Sequence, residues 1–135
     1  MRSLLSEFSY GFALTHELVK AMGTLTAAPI FPSLVEEGAA GGGYDVKLDK
    51  PGLPLYIQFK RSECLKLNTG REIKAGATLS RPYYRFAVTA AADSNQHEML
   101  LDWDTSSNEV FYAAPMFNTK PEFDRAFLND EVRQR

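Results

Sequence analysis

The chain has 135 residues, 44% hydrophobic and 24% charged, the balance of one folded globular domain rather than a disordered or membrane-spanning class. A formal net charge of −2 gives no global basic field and weighs against a protein that simply coats nucleic acid. The single cysteine, Cys64, excludes an internal disulfide and any zinc site built from several thiolates, and reads as a buried or half-buried spectator.

Residues 4–22 carry Leu4, Leu5, Phe8, Phe12, Leu14, Leu18 and Val19, mostly at three- and four-residue steps, which is the period of an amphipathic helix. Ser3 or Ser6 is placed to cap it, Ser3 the better, and Gly23 to stop it. Gly11 costs the helix up to about 1 kcal/mol and marks close packing or a break. Residues 28–35 are apolar but hold Pro29 and Pro32, which suits an edge strand or an extended entry segment. Glu36 and Glu37 then lead into Gly38-Ala39-Ala40-Gly41-Gly42-Gly43. That run is too free for a regular element and lacks the spacing of a dinucleotide- or phosphate-binding loop.

Residues 44–48 and 55–60 read as two strands joined by Asp49-Lys50-Pro51-Gly52, a strong turn sequence. Residues 65–76 read as a loop or short helix, 83–89 as a strand, and 96–103 as either a short helix or an alternating strand. A turn at 104–108, a strand at 110–114 and a terminal helix at 121–132 follow, with Pro121 in the first helical turn. This order predicts an α/β fold, a mixed central β-sheet flanked by helices, in one domain over residues 1–135. The polar end Arg133-Gln134-Arg135 suits equally a piece of a longer chain. No apolar run approaches the roughly 18 to 20 residues of a bilayer span, and the start lacks an export-signal layout, so no membrane partner and a cytoplasmic location are expected.

The chemistry concentrates in the hairpin. A period of two puts Asp45 and Lys47 on one face of the first strand, and Tyr56, Gln58 and Lys60 on one face of the second. A turn centred on Pro51 and Gly52 brings Asp45 close to Gln58, with Lys60 farther along the same polar face. A carboxylate and an amide oxygen suit a hard divalent ion such as Mg²⁺, which acidifies water and stabilises charge on a phosphate oxygen. Lys60 beside that water would steady the attacking hydroxide and the transition-state charge. A second carboxylate is wanted, and Glu17, Glu36 or Glu37 could supply it. The plainer alternative is the solvated face of an ordinary hairpin with a weak Asp–Lys pair.

At these residues the sequence resembles the restriction-endonuclease-like superfamily, whose PD-(D/E)-x-K motif places an Asp on one strand of a hairpin and an acid-x-Lys on the next. Gly43-Tyr44-Asp45 and Gln58-Phe59-Lys60 are the matching pieces. Gln58 at the motif acid is similar to the Gln-x-Lys variant of a subset that includes methylation-dependent restriction nucleases. The resemblance implies a helix-strand-strand-strand-helix-strand core and Glu17 as its helix-borne acid. On this reading the chain is a metal-dependent nuclease that hydrolyses DNA, in bacterial defence or DNA processing. Asp45, Gln58, Lys60 and Glu17 are its expected catalytic residues, and Asp45, Gln58 and Glu37 its ligands for Mg²⁺ or Mn²⁺. The departures are Tyr44 where the motif has proline and the neutral Gln58, which lowers the charge of the site. A noncatalytic module of the same fold, binding nucleic acid or protein, is the alternative.

Arg61, Lys66, Arg71, Lys74, Arg81 and Arg85, interleaved with Tyr83 and Tyr84, could follow a DNA backbone; a solvated basic edge explains them equally well. A homodimer or larger defence complex is the assembly that such nucleases lead one to expect. His16 and His97 read as surface or core imidazoles, since neither has a second ligand at metal-binding spacing. Phe111 and Tyr112 read as a buried strand end.

Overall fold

The computed structural model describes residues 4–32, 43–52, 54–66, 70–78, 82–87 and 108–134. Helix α1 (Glu7–Met22) begins where the Ser6 hydroxyl accepts the Ser9 N–H at 3.0 Å, and it ends at Gly23, whose φ of 75° turns the chain out of the helix. Ser6 caps this helix, so its first turn starts three residues after the sequence reading. Strands β1 (Val46–Leu48), β2 (Leu55–Phe59) and β3 (Glu63–Leu65) come next, then α2 (Arg71–Lys74), β4 (Tyr83–Arg85), β5 (Glu109–Ala113), α3 (Lys120–Leu128) and a 3-10 turn at Val132–Gln134.

The main sheet has the order β1-β2-β5, with β1 antiparallel and β5 parallel to β2. Gly52, at φ 96°, closes the turn between β1 and β2 in a backbone region that glycine adopts without strain. On the free edge of β1, Ile30 and Lys47 exchange both backbone hydrogen bonds, at 3.0 and 2.9 Å. The proline-bearing segment therefore pairs as a single bridge at the sheet edge. β3 and β4 form a separate antiparallel pair with Cys64 opposite Tyr84. The described residues thus make a mixed α/β arrangement with a mixed sheet and three helices. Among them, no helix is long and apolar enough to cross a membrane.

The core lies between α1 and the β1–β2 face that carries Val46, Leu48, Leu55, Ile57 and Phe59, and is closed by Phe117, Ala126 and Val132. Gly11 is what lets α1 approach: a Cβ there would run into the Phe59 ring. The helix therefore turns Tyr10, Ala13 and Leu14 inward and leaves Phe8 and Phe12 exposed. Three of the seven apolar residues counted in the sequence, Leu4, Phe8 and Phe12, face outward. The expected burial of the β5 aromatics also differs, because Phe111 is 54% exposed while Tyr112 is half-buried.

Three residues were too few for a pattern to reveal β3, which exists through its pairing with β4. The C-terminal helix is shorter than expected. It stops at Leu128, Asp130 adopts a left-handed φ of 55°, and Val132 reaches the core from the 3-10 turn instead. Its start is a capping box in which Thr119 and Glu122 satisfy each other's backbone N–H groups. Expectations for Glu36, Glu37, Arg81, His97 and the element at 96–103 lie outside the described residues.

Candidate active site

The β1–β2 register places Val46 opposite Ile57, which sets Asp45 beside Gln58 just beyond the first ladder pair. The Asp45 N–H donates to the Ile57 carbonyl at 2.8 Å. Its Oδ2 accepts the Phe59 N–H at 2.7 Å and the Gln58 Nε2 at 3.1 Å. The carboxylate thus continues the pairing past the start of β1 and is held by backbone as well as side chain. Because a carboxylate only accepts, the bond from Gln58 fixes which end of the amide is nitrogen.

That orientation leaves Gln58 Oε1 buried and without a hydrogen-bond partner among the described residues, on a residue only 3% exposed. A buried amide oxygen without a donor costs about 1–3 kcal/mol, which a cation or another donor would offset. Aspartate and amide oxygens are hard ligands suited to Mg²⁺ or Mn²⁺, and these two side chains fit such an ion as part of its oxygen shell. Among the described residues no group of three or more His, Cys, Asp or Glu side chains gathers to hold a metal. Expected ligand Glu37 lies outside the described residues.

Lys60 follows at the end of β2, where its N–H donates to the Ala113 carbonyl at 2.8 Å and its ammonium sits 5.6 Å from the Tyr112 ring centroid. The parallel register explains this neighbour, since Gln58 is opposite Tyr112 and Lys60 continues along the same face. No carboxylate pairs with the ammonium among the described residues. Lys60 opens onto a cleft of about 530 Å³, together with Arg61, Arg71, Glu72, Arg85 and Glu7. Asp45 opens onto a neighbouring cleft of about 290 Å³, and Glu7 lines that one too.

Glu7 is the carboxylate that sequence reasoning missed. It opens α1 directly after the Ser6 cap, and one turn separates it from Gly11, the point of contact with Phe59. Choosing Ser6 over Ser3 as the cap, and treating Gly11 as the contact point, would have placed Glu7 at the end of β2. Glu17 does not join this group: ten residues farther along α1, it lies about 15 Å away along the axis at 1.5 Å per residue. There Glu17, 4% exposed, accepts the Arg133 N–H at 3.0 Å and ties α1 to the C-terminal turn.

The expected phosphate-contacting bases divide. Arg61, Lys66 and Arg71 are exposed, and Arg61 and Arg71 line the larger cleft. Arg85 instead bonds both oxygens of Glu72 at 2.8 Å and Glu63 Oε2 at 2.9–3.0 Å. The Arg85 hydrogen bonds hold the Glu72 carboxyl below its usual range, and the same bonds raise the Arg85 guanidinium. Tyr83 adds a hydroxyl to Glu72 at 3.1 Å. Arg85 therefore clamps β3, α2 and β4 together at the wall of the cleft. Buried Cys64 and exposed His16, which stacks against Phe12 and Phe127, stand where their sequence context placed them.

No family model matches the chain, and no curated protein or solved structure shows a significant match to it.

Proposed function

We propose that the chain is a metal-dependent nuclease acting on DNA, with its reaction centre at Asp45, Gln58 and Lys60. The observation that carries this reading is the buried Gln58 oxygen, without a partner among the described residues, next to the Asp45 carboxylate and two residues before a lysine whose ammonium pairs with no described carboxylate. The element order supports it as well: helix, bridged extended segment, antiparallel hairpin, then a strand parallel to the second hairpin strand. Of the helix-strand-strand-strand-helix-strand order that the resemblance implies, these elements supply the first helix, the hairpin and a last strand parallel to its second strand.

In this reading Asp45 and Gln58 hold Mg²⁺ or Mn²⁺ and Glu7 takes the part of the helix-borne acid. The bound ion supplies Lewis acidity toward a phosphate oxygen and toward water. Lys60 orients the attacking water and stabilises negative charge developing on the phosphate. Phe59 N–H keeps Asp45 aimed, and Arg61 and Arg71 draw the DNA backbone into the larger cleft.

A noncatalytic module of the same fold is the second reading, favoured by one bond: the Gln58 amide already satisfies Asp45 without an ion. Metal titration separates the two. The nuclease reading expects saturable Mn²⁺ binding by calorimetry that Asp45→Ala abolishes; a folded chain that takes up no Mn²⁺ is the noncatalytic module.

A further inference from the structure

The smaller cleft is more than the wall of the metal site. Besides Asp45 and Glu7 it is lined by Phe8, Phe31, Pro32 and Phe59. Phe8 is 78% and Phe31 48% exposed, an unfavourable placement for two large rings. Among the described residues no ring contact joins them, and both line the same slot. Both rings are carried on pinned backbone: Phe8 lies in the capped first turn of α1, and Phe31 directly follows Ile30, which is bonded twice to Lys47. Such pinning lowers the ordering cost of a ligand that enters between them.

From this arrangement we infer that the slot binds one unstacked nucleobase, and that the substrate is therefore single-stranded or locally melted DNA. The choice of a nucleic acid as occupant rests on the nuclease reading of Asp45, Gln58 and Lys60. Size favours a single base over a base pair, since about 290 Å³ sits at the small end of ligand clefts, roughly 300–1,000 Å³. Chemistry selects the base over its phosphate, because phenyl rings stack on bases, whereas Lys60, Arg61 and Arg71 attract phosphates on the other side of Glu7. Aromatic faces receive any base, so the slot selects for strandedness rather than sequence.

Fluorescence anisotropy of one end-labelled oligonucleotide, single-stranded and as its duplex, tests this in Ca²⁺ at fixed salt. The expected result is tighter binding of the single strand, weakened roughly five- to a hundredfold by Phe31→Ala or Phe8→Ala and retained in Phe31→Tyr. Leu128→Ala, an exposed apolar change remote from the slot, controls for general loss of surface. Equal affinity for both DNA forms, or Phe31→Ala and Phe8→Ala both within twofold of the natural chain, overturns the inference. Cutting in Mn²⁺ is followed on the same samples. Single-strand binding that depends on Phe31, without cutting, upholds the slot and rejects the nuclease; cutting that is indifferent to both phenylalanines does the reverse.

Discussion

Gln58 gives its amide hydrogen to Asp45 Oδ2 at 3.1 Å and keeps its own side-chain oxygen buried without a described partner. One residue thus stabilises the metal-free carboxylate and offers a ligand atom. Gln58→Glu should reverse that balance. It replaces the donor with a second carboxylate, which destabilises the metal-free chain by about 1–3 kcal/mol and makes the pair share a proton. Thermal melts should show a lower Tm without metal and a larger Mn²⁺-induced rise than the natural chain. An equal Mn²⁺ response in both proteins would exclude position 58 from the ion's shell.

Asp45→Asn separates holding the strand from chemistry. The asparagine oxygen still accepts the Phe59 N–H, so urea unfolding should shift by less than about 1 kcal/mol, while Mn²⁺ binding weakens at least tenfold. Asp45→Ala leaves that N–H without its acceptor and should cost about 1–3 kcal/mol in the same experiment.

Gly11→Ala places a methyl group against the Phe59 ring. Alanine is the better helix former by about 1 kcal/mol, yet overpacking at this contact costs typically 1–3 kcal/mol, so net destabilisation is expected by urea denaturation. Adding Phe59→Leu should recover part of the loss. Net stabilisation by Gly11→Ala alone would show that α1 does not need its close approach.

Burial, then the charge of Glu17, pushes the Tyr10 hydroxyl from 10.0 up to about 12. The unfolded chain therefore releases this proton first as pH rises. Stability is full below about pH 10 and falls through about pH 12, by at most about 1.4 kcal/mol per pH unit. Urea midpoints across that window should decline, and less steeply in Tyr10→Phe. An equally steep decline in the variant would assign the effect to other groups.

The hairpin and its polar face were legible in the sequence because an alternating pattern flanks a strong turn, and the register then follows from turn position. Asp45 and Gln58 meet as that pattern required. Glu7 was not legible, since its place depends on which serine caps α1 and on the contact between Gly11 and Phe59, a tertiary fact. Arg85 looked like a free base in a basic stretch; only the pairing of β3 with β4 reveals Glu63 opposite it. Phe8 and Phe12 carry the helical period yet face outward, because the small residues Gly11 and Ala13 select the packed face.

Cleavage of plasmid and single-stranded DNA in Mn²⁺ or Mg²⁺, comparing the natural chain with Lys60→Ala, tests the central claim most directly. Lys60 is half-buried with its ammonium over Tyr112 and pairs with no described carboxylate, so its removal should leave the fold intact. The account predicts metal-dependent cutting by the natural chain and a loss of at least about a hundredfold in the variant, the scale of removing one charge-stabilising group. Equal cutting by both proteins, or none by a folded natural chain with either metal, would contradict it.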